Sequence, residues 1–242
     1  MSAFSQNEED RSENMKYPLV IEDLRKSYPL QSGEVQNVVE VESFELNQGS
    51  QLAIQGASGT GKSTFLNLIA GIVKPDFGVI RMGAIELSNL SEHARDRARA
   101  QLIGYVFQNF HLLQGCTALE NVMVSMAINQ NATRDRAREL LSHVGLSKKE
   151  NFLPSQLSIG QQQRVGIARA LANTPKLMLA DEPTGNLDSE NAKRSIDLLS
   201  SLCSSNHCTL LVVSHDGKII NRFEKSMHWQ DINRAKGFDF EY

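Results

Sequence analysis

The sequence predicts an α/β protein with a parallel sheet covered by helices. Two short apolar strands, Lys176–Asp181 and Cys208–His215, are separated by a helix-patterned segment from about Ser189 to Leu202. No hairpin turn joins them, and strand–helix–strand order of this kind favours parallel pairing. An earlier apolar strand, Gln51–Gln55, runs through the glycine-rich turn GASGTG into Lys62–Ile69. There Phe65, Leu66 and Ile69 recur at three- and four-residue spacing, the mark of one buried helix face.

The remaining elements follow in chain order. Residues 1–16 are polar and read as a loose tail. Leu19–Leu24 and Val38–Leu46 carry alternating or β-branched residues suited to strands. Pro75 and Gly78 mark a turn after the Lys62–Ile69 helix. From about Leu90 to Ala172 the pattern is mostly helical, clearest in residues 94–107, 120–128 and 133–146, although Ile103–Phe107 is also strand-like. Asn121–Gln130 leads into a loop, and residues 231–242 are too short and mixed to classify.

Composition sets the outer limits. The 242 residues are 40% hydrophobic and 22% charged, enough apolar material for one large domain or a core with an inserted lobe. Twenty-five Lys and Arg against 28 Asp and Glu leave no basic excess of the kind that marks a nucleic-acid surface. The densest apolar runs, Leu102–Phe107, Leu177–Ala180 and Leu210–Val213, fall far short of the ~20 residues a membrane-spanning helix needs. The first sixteen residues have no apolar core segment of the secretion-signal type, so the expected location is cytoplasmic, with membrane association through a partner. Cys116, Cys203 and Cys208 suggest neither a zinc site nor a disulfide framework and read as buried thiols.

The octet Gly56-Ala57-Ser58-Gly59-Thr60-Gly61-Lys62-Ser63 matches the phosphate-binding pattern GxxxxGK[ST] in full, between strand and helix. Glycines let the backbone wrap closely around phosphates, with amide hydrogens and the positive end of the helix pointing inward. Lys62 is placed to neutralise the β- and γ-phosphates, Ser63 to ligate Mg²⁺, and Thr64 to add a donor. The strand Leu177–Ala180 ends in Asp181 and Glu182. Strand periodicity turns neighbouring side chains apart, so Asp181 can hold the metal through water while Glu182 orients and deprotonates the attacking water.

With these motifs in place, the stretch from about Leu19 to Phe223 resembles the ATP-binding cassette (ABC) ATPases. Leu157-Ser158-Ile159-Gly160-Gln161, followed by QQRVGIARAL, is similar to the family signature LSGGQ, with Ile159 in place of a glycine. Ser158 can cap a helix whose free amides begin near Gly160, and in the family this helix end meets the γ-phosphate held by the other subunit. Gly166 inside that helix costs about 0.5–1 kcal/mol relative to alanine. The resemblance further implies that Gln108 senses Mg²⁺ and water, that Asp188 of Asn186-Leu187-Asp188 communicates across a dimer, and that His215 contacts the γ-phosphate and positions Glu182. Tyr28 stands where the family keeps an aromatic to stack on adenine. Locally, Asp188 reads equally as a helix N-cap, His215 as a strand-end histidine and Tyr28 as a core residue.

The implied fold is a P-loop NTPase core with a parallel sheet, an N-terminal antiparallel β portion and an inserted α-helical subdomain. The expected divisions are 1–16 as a tail, 17–89 and about 173–233 as core, about 90–172 as the helical subdomain, and 234–242 as a second tail. The implied ligands are ATP and Mg²⁺, and the implied partners are a second copy, head to tail, and an integral membrane subunit, with no nucleic acid. The segments YVFQNFHLL, TALENV and ADEPTGNLD resemble the branch of lipoprotein-release, macrolide- or peptide-export and cell-division ATPases. That branch leaves two activities open, transport or extraction at the cytoplasmic face of the inner membrane, and regulatory signalling at the division site.

Overall fold

A computed structural model describes residues 18–128 and 132–235. The expected tail 1–16, residues 236–242 of the expected tail 234–242, and the end of the stretch Asn121–Gln130 lie outside the described residues.

The strands are β1 (Leu19–Pro29), β2 (Val35–Leu46), β3 (Gln51–Gln55), β4 (Phe77–Met82), β5 (Ile85–Glu86), β6 (Ile103–Val106), β7 (Leu177–Asp181), β8 (Thr209–Ser214) and β9 (Ser226–His228). The helices are α1 (Lys62–Ile69), α2 (Glu92–Leu102), α3 (Ala118–Ala127), α4 (Arg134–His143), α5 (Ile159–Leu171), α6 (Ser189–Ser205), α7 (Gly217–Ile220) and α8 (Trp229–Ile232). They form an antiparallel sheet in the order β2-β1-β4-β5 and a parallel sheet in the order β6-β7-β8-β3-β9.

The central parallel strands β7 and β8 are apolar on both faces because each face has its own layer to bury. Leu177, Leu179, Leu211 and Val213 join Phe65, Leu66 and Ile69 of α1 and the inner face of the antiparallel sheet in one core. Met178, Ala180, Leu210 and Val212 point the other way, into a second core with Val122 and Met126 of α3, Leu140 and Leu141 of α4, and Val165, Ile167 and Ala168 of α5. Period-two alternation along β7 and β8 therefore serves two cores at once.

Two sequence expectations change. Residues 94–107 are not one helical piece: α2 ends at Leu102, and Ile103–Val106 pairs in parallel with Leu177–Ala180. A Cβ on Gly104 would lie 2.5 Å from the Ala170 carbonyl oxygen, so glycine there lets α5 lie against the strand. Gly78 lies inside β4 rather than in a turn, at φ 95°, where a Cβ would come 2.4 Å from the Asp23 carbonyl oxygen. Asp23 itself has φ 50°, and the β1–β4 register shifts between Glu22 and Arg25, so the glycine belongs to a paired irregularity in the sheet. The cysteines are free, with Cys203 and Cys208 buried and Cys116 half-buried.

The loop between β6 and α3 is fixed from inside. The buried Asn121 accepts from the Leu113 N–H at 2.8 Å and donates to the carbonyls of Leu113, Cys116 and Thr117 at 3.1, 3.0 and 3.0 Å. Arg169, at the end of α5, donates to the carbonyls of Phe110 and His111, two residues with φ of 57° and 45°. Burial lowers the pKa of this guanidinium from its ordinary value. Asn121→Ala strands buried backbone groups and is expected to cost about 2–3 kcal/mol in denaturant unfolding. A loss below about 0.5 kcal/mol would show that the loop closes without it.

Candidate functional site

Functional side chains gather where three adjacent parallel strands end. Gln55 of β3 registers with Ser214 of β8, and Val213 with Asp181 of β7, so the residues following these strands open onto one crevice. The glycine-rich loop crosses it between β3 and α1. Gly59 and Gly61 adopt φ of 79° and 98°, and a Cβ on Gly61 would sit 2.7 Å from the Val38 carbonyl oxygen. Glycine is required there for both reasons.

Lys62 is 5% exposed, and its Nζ donates to the Gly56 and Ala57 carbonyls at 2.8 and 2.6 Å. Glu182 Oε1 lies 3.9 Å from the same ammonium. Desolvation lowers the Lys62 pKa, opposed by the charges of Glu182 and Asp181. Ser63 donates its hydroxyl to Asp181 Oδ1 at 3.0 Å, and burial raises the Asp181 pKa above the ordinary carboxyl value.

Glu182 is held on several sides. Its φ is 43°, and its N–H donates to the Val213 carbonyl at 3.0 Å. Ser214 Oγ donates to Oε2 at 3.1 Å, and His215 Nδ1 lies 2.9 Å from Oε1. The strand-end histidine therefore touches the carboxylate it is expected to position. Gln108, two residues after β6, packs against the chain following Glu182: a Cβ on Gly185 would meet its side-chain amide nitrogen at 2.9 Å, and the Asn186 side chain donates to its backbone carbonyl at 2.9 Å.

A cavity of about 490 Å³ is lined by Tyr28, Val38, Ser58, Gly59, Gly61, Lys62, Ser63, Thr64, Gln108 and Glu182. Tyr28 is 39% exposed at its mouth, which removes the core-residue alternative. Gly56 and Thr60 instead line the opposite side of the loop, in a separate cavity with Gln55, His215 and Trp229, and the Thr60 hydroxyl donates to the Ala57 carbonyl at 2.8 Å.

The signature residues occupy a different groove. Ser158 caps α5, with Gln161 N–H donating to Ser158 Oγ at 3.3 Å and Ser158 N–H to Gln161 Oε1 at 3.0 Å. The Gln161 amide is thus engaged in capping its own helix. Ser158, Ile159, Gly160 and Arg164 border a groove of about 870 Å³ with Asn186, Leu187 and Asp188. Asp188 caps α6, accepting from the Glu190 and Asn191 N–H groups at 3.1 and 3.0 Å. No lining residue is shared between this groove and the crevice at the glycine-rich loop.

Residues 39–185 match the family described as ABC transporter. The chain is 42% identical over 212 residues to the lipoprotein-releasing system ATP-binding protein LolD of Pseudomonas fluorescens, covering 86% of this chain and 93% of that protein. LolD of Treponema pallidum is 44% identical over 204 residues, covering 83% and 90%. The chain belongs to the ABC transporter family. Among solved structures, the dimeric post-hydrolysis state of the cassette MJ0796 bound to ADP and Pi is similar at 35% identity and TM-score 0.79, covering 87% of this chain and 93% of that one. Clostridium perfringens cbiO1, part of the transporter complex cbiONQ, gives 27% identity and TM-score 0.75, covering 88% and 84%. The chain is thus the ATP-binding and hydrolysing subunit of an ABC system, an ATPase coupled to a membrane partner. Among the described residues no helix is long and apolar enough to cross a membrane.

Two residues that support the site escape the sequence motifs. Ser214 holds Glu182 through its side chain, and Trp229 donates its indole N–H to the Thr60 carbonyl at 2.6 Å. The β8 strand-end pair Ser214-His215 could have directed attention to Ser214, but Trp229 is distant from every motif. Gly61→Ala is expected to abolish measurable nucleotide binding by calorimetry while leaving far-UV circular dichroism unchanged. Wild-type affinity in this variant would refute the assignment of the loop as the phosphate site.

Proposed function

We propose that two copies of this chain, head to tail, enclose two ATP molecules and drive an integral membrane subunit that releases lipoproteins, with the pair seated on the cytoplasmic face of the inner membrane. The observation that carries this reading is the separation of the two grooves. The phosphate loop and Glu182 line one crevice, with Asp181 bonded to Ser63 and His215 to Glu182, and the exposed start of α5 offers a second set of amides on another groove of the same chain. A partner rotated by a two-fold axis brings the second half of one copy to the first half of the other. The dimeric MJ0796 structure and the lipoprotein-releasing LolD proteins are the relatives that support it.

Ser63, Asp181 and Gln108 supply oxygen donors of the kind Mg²⁺ takes, and Mg²⁺ keeps waters and phosphate oxygens for its other positions, so so small a protein donor set suits it. When bound, the ion would neutralise charge on the β- and γ-phosphates. Lys62 shifts from the Gly56 and Ala57 carbonyls to the phosphates. Tyr28 stacks on the base at the cavity mouth. Glu182 accepts the proton of the attacking water, and His215 and Ser214 hold its two carboxylate oxygens in register with the γ-phosphate. Ser158 and Gly160 of the other copy contact that phosphate and lose it on hydrolysis, so the pair reopens.

Glu182→Gln is expected to bind ATP normally, lose steady-state ATPase activity by about 10²-fold or more, and run as a dimer with ATP in size-exclusion chromatography. An active variant would remove Glu182 from the base role. A variant that stays monomeric with ATP and membrane partner present would defeat the paired site. Lys62→Ala is expected to raise the calorimetric Kd for Mg·ATP at least tenfold, and unchanged affinity would contradict phosphate neutralisation by Lys62.

A further inference from the structure

The loop that carries the phosphate-binding amides is gripped from behind by a segment none of the motifs includes. After β9 the chain turns into α8, and the Trp229 indole, 3% exposed, donates to the Thr60 carbonyl at 2.6 Å. The ring is locked by the core. Its centroid lies 5.0 Å from that of Phe65 on α1, and Phe65 in turn meets Phe44 edge-on at 5.5 Å. The segment is also tied to β2. Asn233 accepts from the Glu40 N–H at 2.7 Å and donates to the Val38 carbonyl at 3.1 Å, and the Arg234 N–H donates to the Glu40 carbonyl at 2.8 Å. The approach is close enough that a Cβ on Gly56 would lie 2.8 Å from the Trp229 Cβ.

Peptide geometry turns this grip into a statement about phosphate binding. Within the trans Thr60–Gly61 peptide the carbonyl and the following N–H point in opposite directions. The Thr60 oxygen is turned towards the Trp229 indole, and both residues line one cavity with His228 and Gln230. Gly61, by contrast, lines the nucleotide crevice with Ser58, Gly59 and Lys62. Holding the Thr60 oxygen on one side therefore aims the Gly61 N–H into the crevice on the other. Gly61 has φ 98°, where a freed peptide has wide latitude to rotate, so an anchor on this plane carries more weight than one on an ordinary turn.

We propose that Trp229 is a positioning residue for nucleotide phosphates, its indole N–H fixing the Thr60 carbonyl and thereby presenting the Gly61 amide to the bound phosphate chain. The proposal rests on the assignment of the crevice as the ATP site. It predicts a loss in phosphate binding shared by ground and transition states, which appears in KM rather than kcat.

The test exploits the presence of one tryptophan in the sequence. Trp229→Phe keeps an aromatic ring against Phe65 and removes the donor. Biosynthetic replacement of tryptophan by 3-benzothienylalanine keeps the full bicyclic shape and puts sulfur where the N–H was. Both are measured for calorimetric Kd of Mg·ADP, for KM and kcat of ATP hydrolysis, and for Tm, beside Lys62→Ala. The expected result is a rise of about three- to tenfold in Kd and KM for both, with kcat within about twofold of wild type. Unchanged Kd and KM in the benzothienylalanine protein overturn the proposal, whatever Trp229→Phe does. A loss confined to kcat or to Tm overturns it also and leaves Trp229 as packing. Should Lys62→Ala also bind Mg·ADP like wild type, the failure lies with the crevice as ATP site rather than with Trp229.

Discussion

The parallel register of β3, β8 and β7 is the constraint from which the site follows. Gln55 opposite Ser214, and Val213 opposite Asp181, bring three chain exits to one edge, each delivering a different kind of group. β3 delivers backbone amides and Lys62, β7 delivers two carboxylates, and β8 delivers a hydroxyl and an imidazole. A slip of one residue in any of these pairings would turn Leu179 or Val213 out of its core and Glu182 away from Ser214. The two cores that flank the sheet therefore maintain the hydrogen bonds to Glu182 as a by-product of packing.

Electrostatics in the crevice is arranged for a ligand rather than for the bare protein. Lys62 is desolvated and its pKa falls, with Glu182 and Asp181 only opposing that loss. Asp181 is raised by burial, against the Ser63 hydrogen bond and the charge of Lys62. A carboxyl whose folded pKa lies above its unfolded one holds its proton better when folded. Its contribution to stability is fullest below the ordinary carboxyl range and declines as pH rises through the folded value. At neutral pH Asp181 is thus a cost to the nucleotide-free fold, and a cation beside it removes that cost. Anionic phosphates do the same for Lys62. Ligand binding and relief of desolvation are one process here, which is why such a site gains stability from its substrate.

Legibility in the sequence tracks the distance between cooperating residues. The glycine-rich octet and the Asp181-Glu182 pair are contiguous, and each residue's chemistry follows from a strand on one side and a turn on the other. β3 and α1 coincide with their expected bounds because apolar spacing and glycine punctuation agree there. Gly78 shows the opposite case. Read locally it signals a turn, yet its conformation answers to Asp23, a partner far earlier in the chain. Ile103–Val106 is ambiguous for a related reason: a short apolar run is strand or helix according to what it meets, and it meets β7. Trp229 is the extreme, a lone aromatic whose role depends on a carbonyl 169 residues away.

The helix α5 ties the signature segment at one end to the loop after β6 at the other. Its first turn is secured by Ser158 and Gln161 acting on each other, so the cap is complete without any ligand. Ile159 is nevertheless 53% exposed, and a Cβ on Gly160 would meet nothing closer than Asn191 Oδ1 at 3.8 Å. This turn borders the groove with Asn186, Leu187 and Asp188. At the other end of the same helix Arg169 holds two carbonyls of the loop that begins at Gln108. Between these ends Val165, Ile167 and Ala168 are fully buried, so α5 is a stiff element set in a close-packed core. The loop is in turn tied to Asn186, beside Asp188, by the hydrogen bond to the Gln108 carbonyl. Hydrogen bonds thus link the end of α5 to the loop after β6, and that loop to Asn186 at the groove edge.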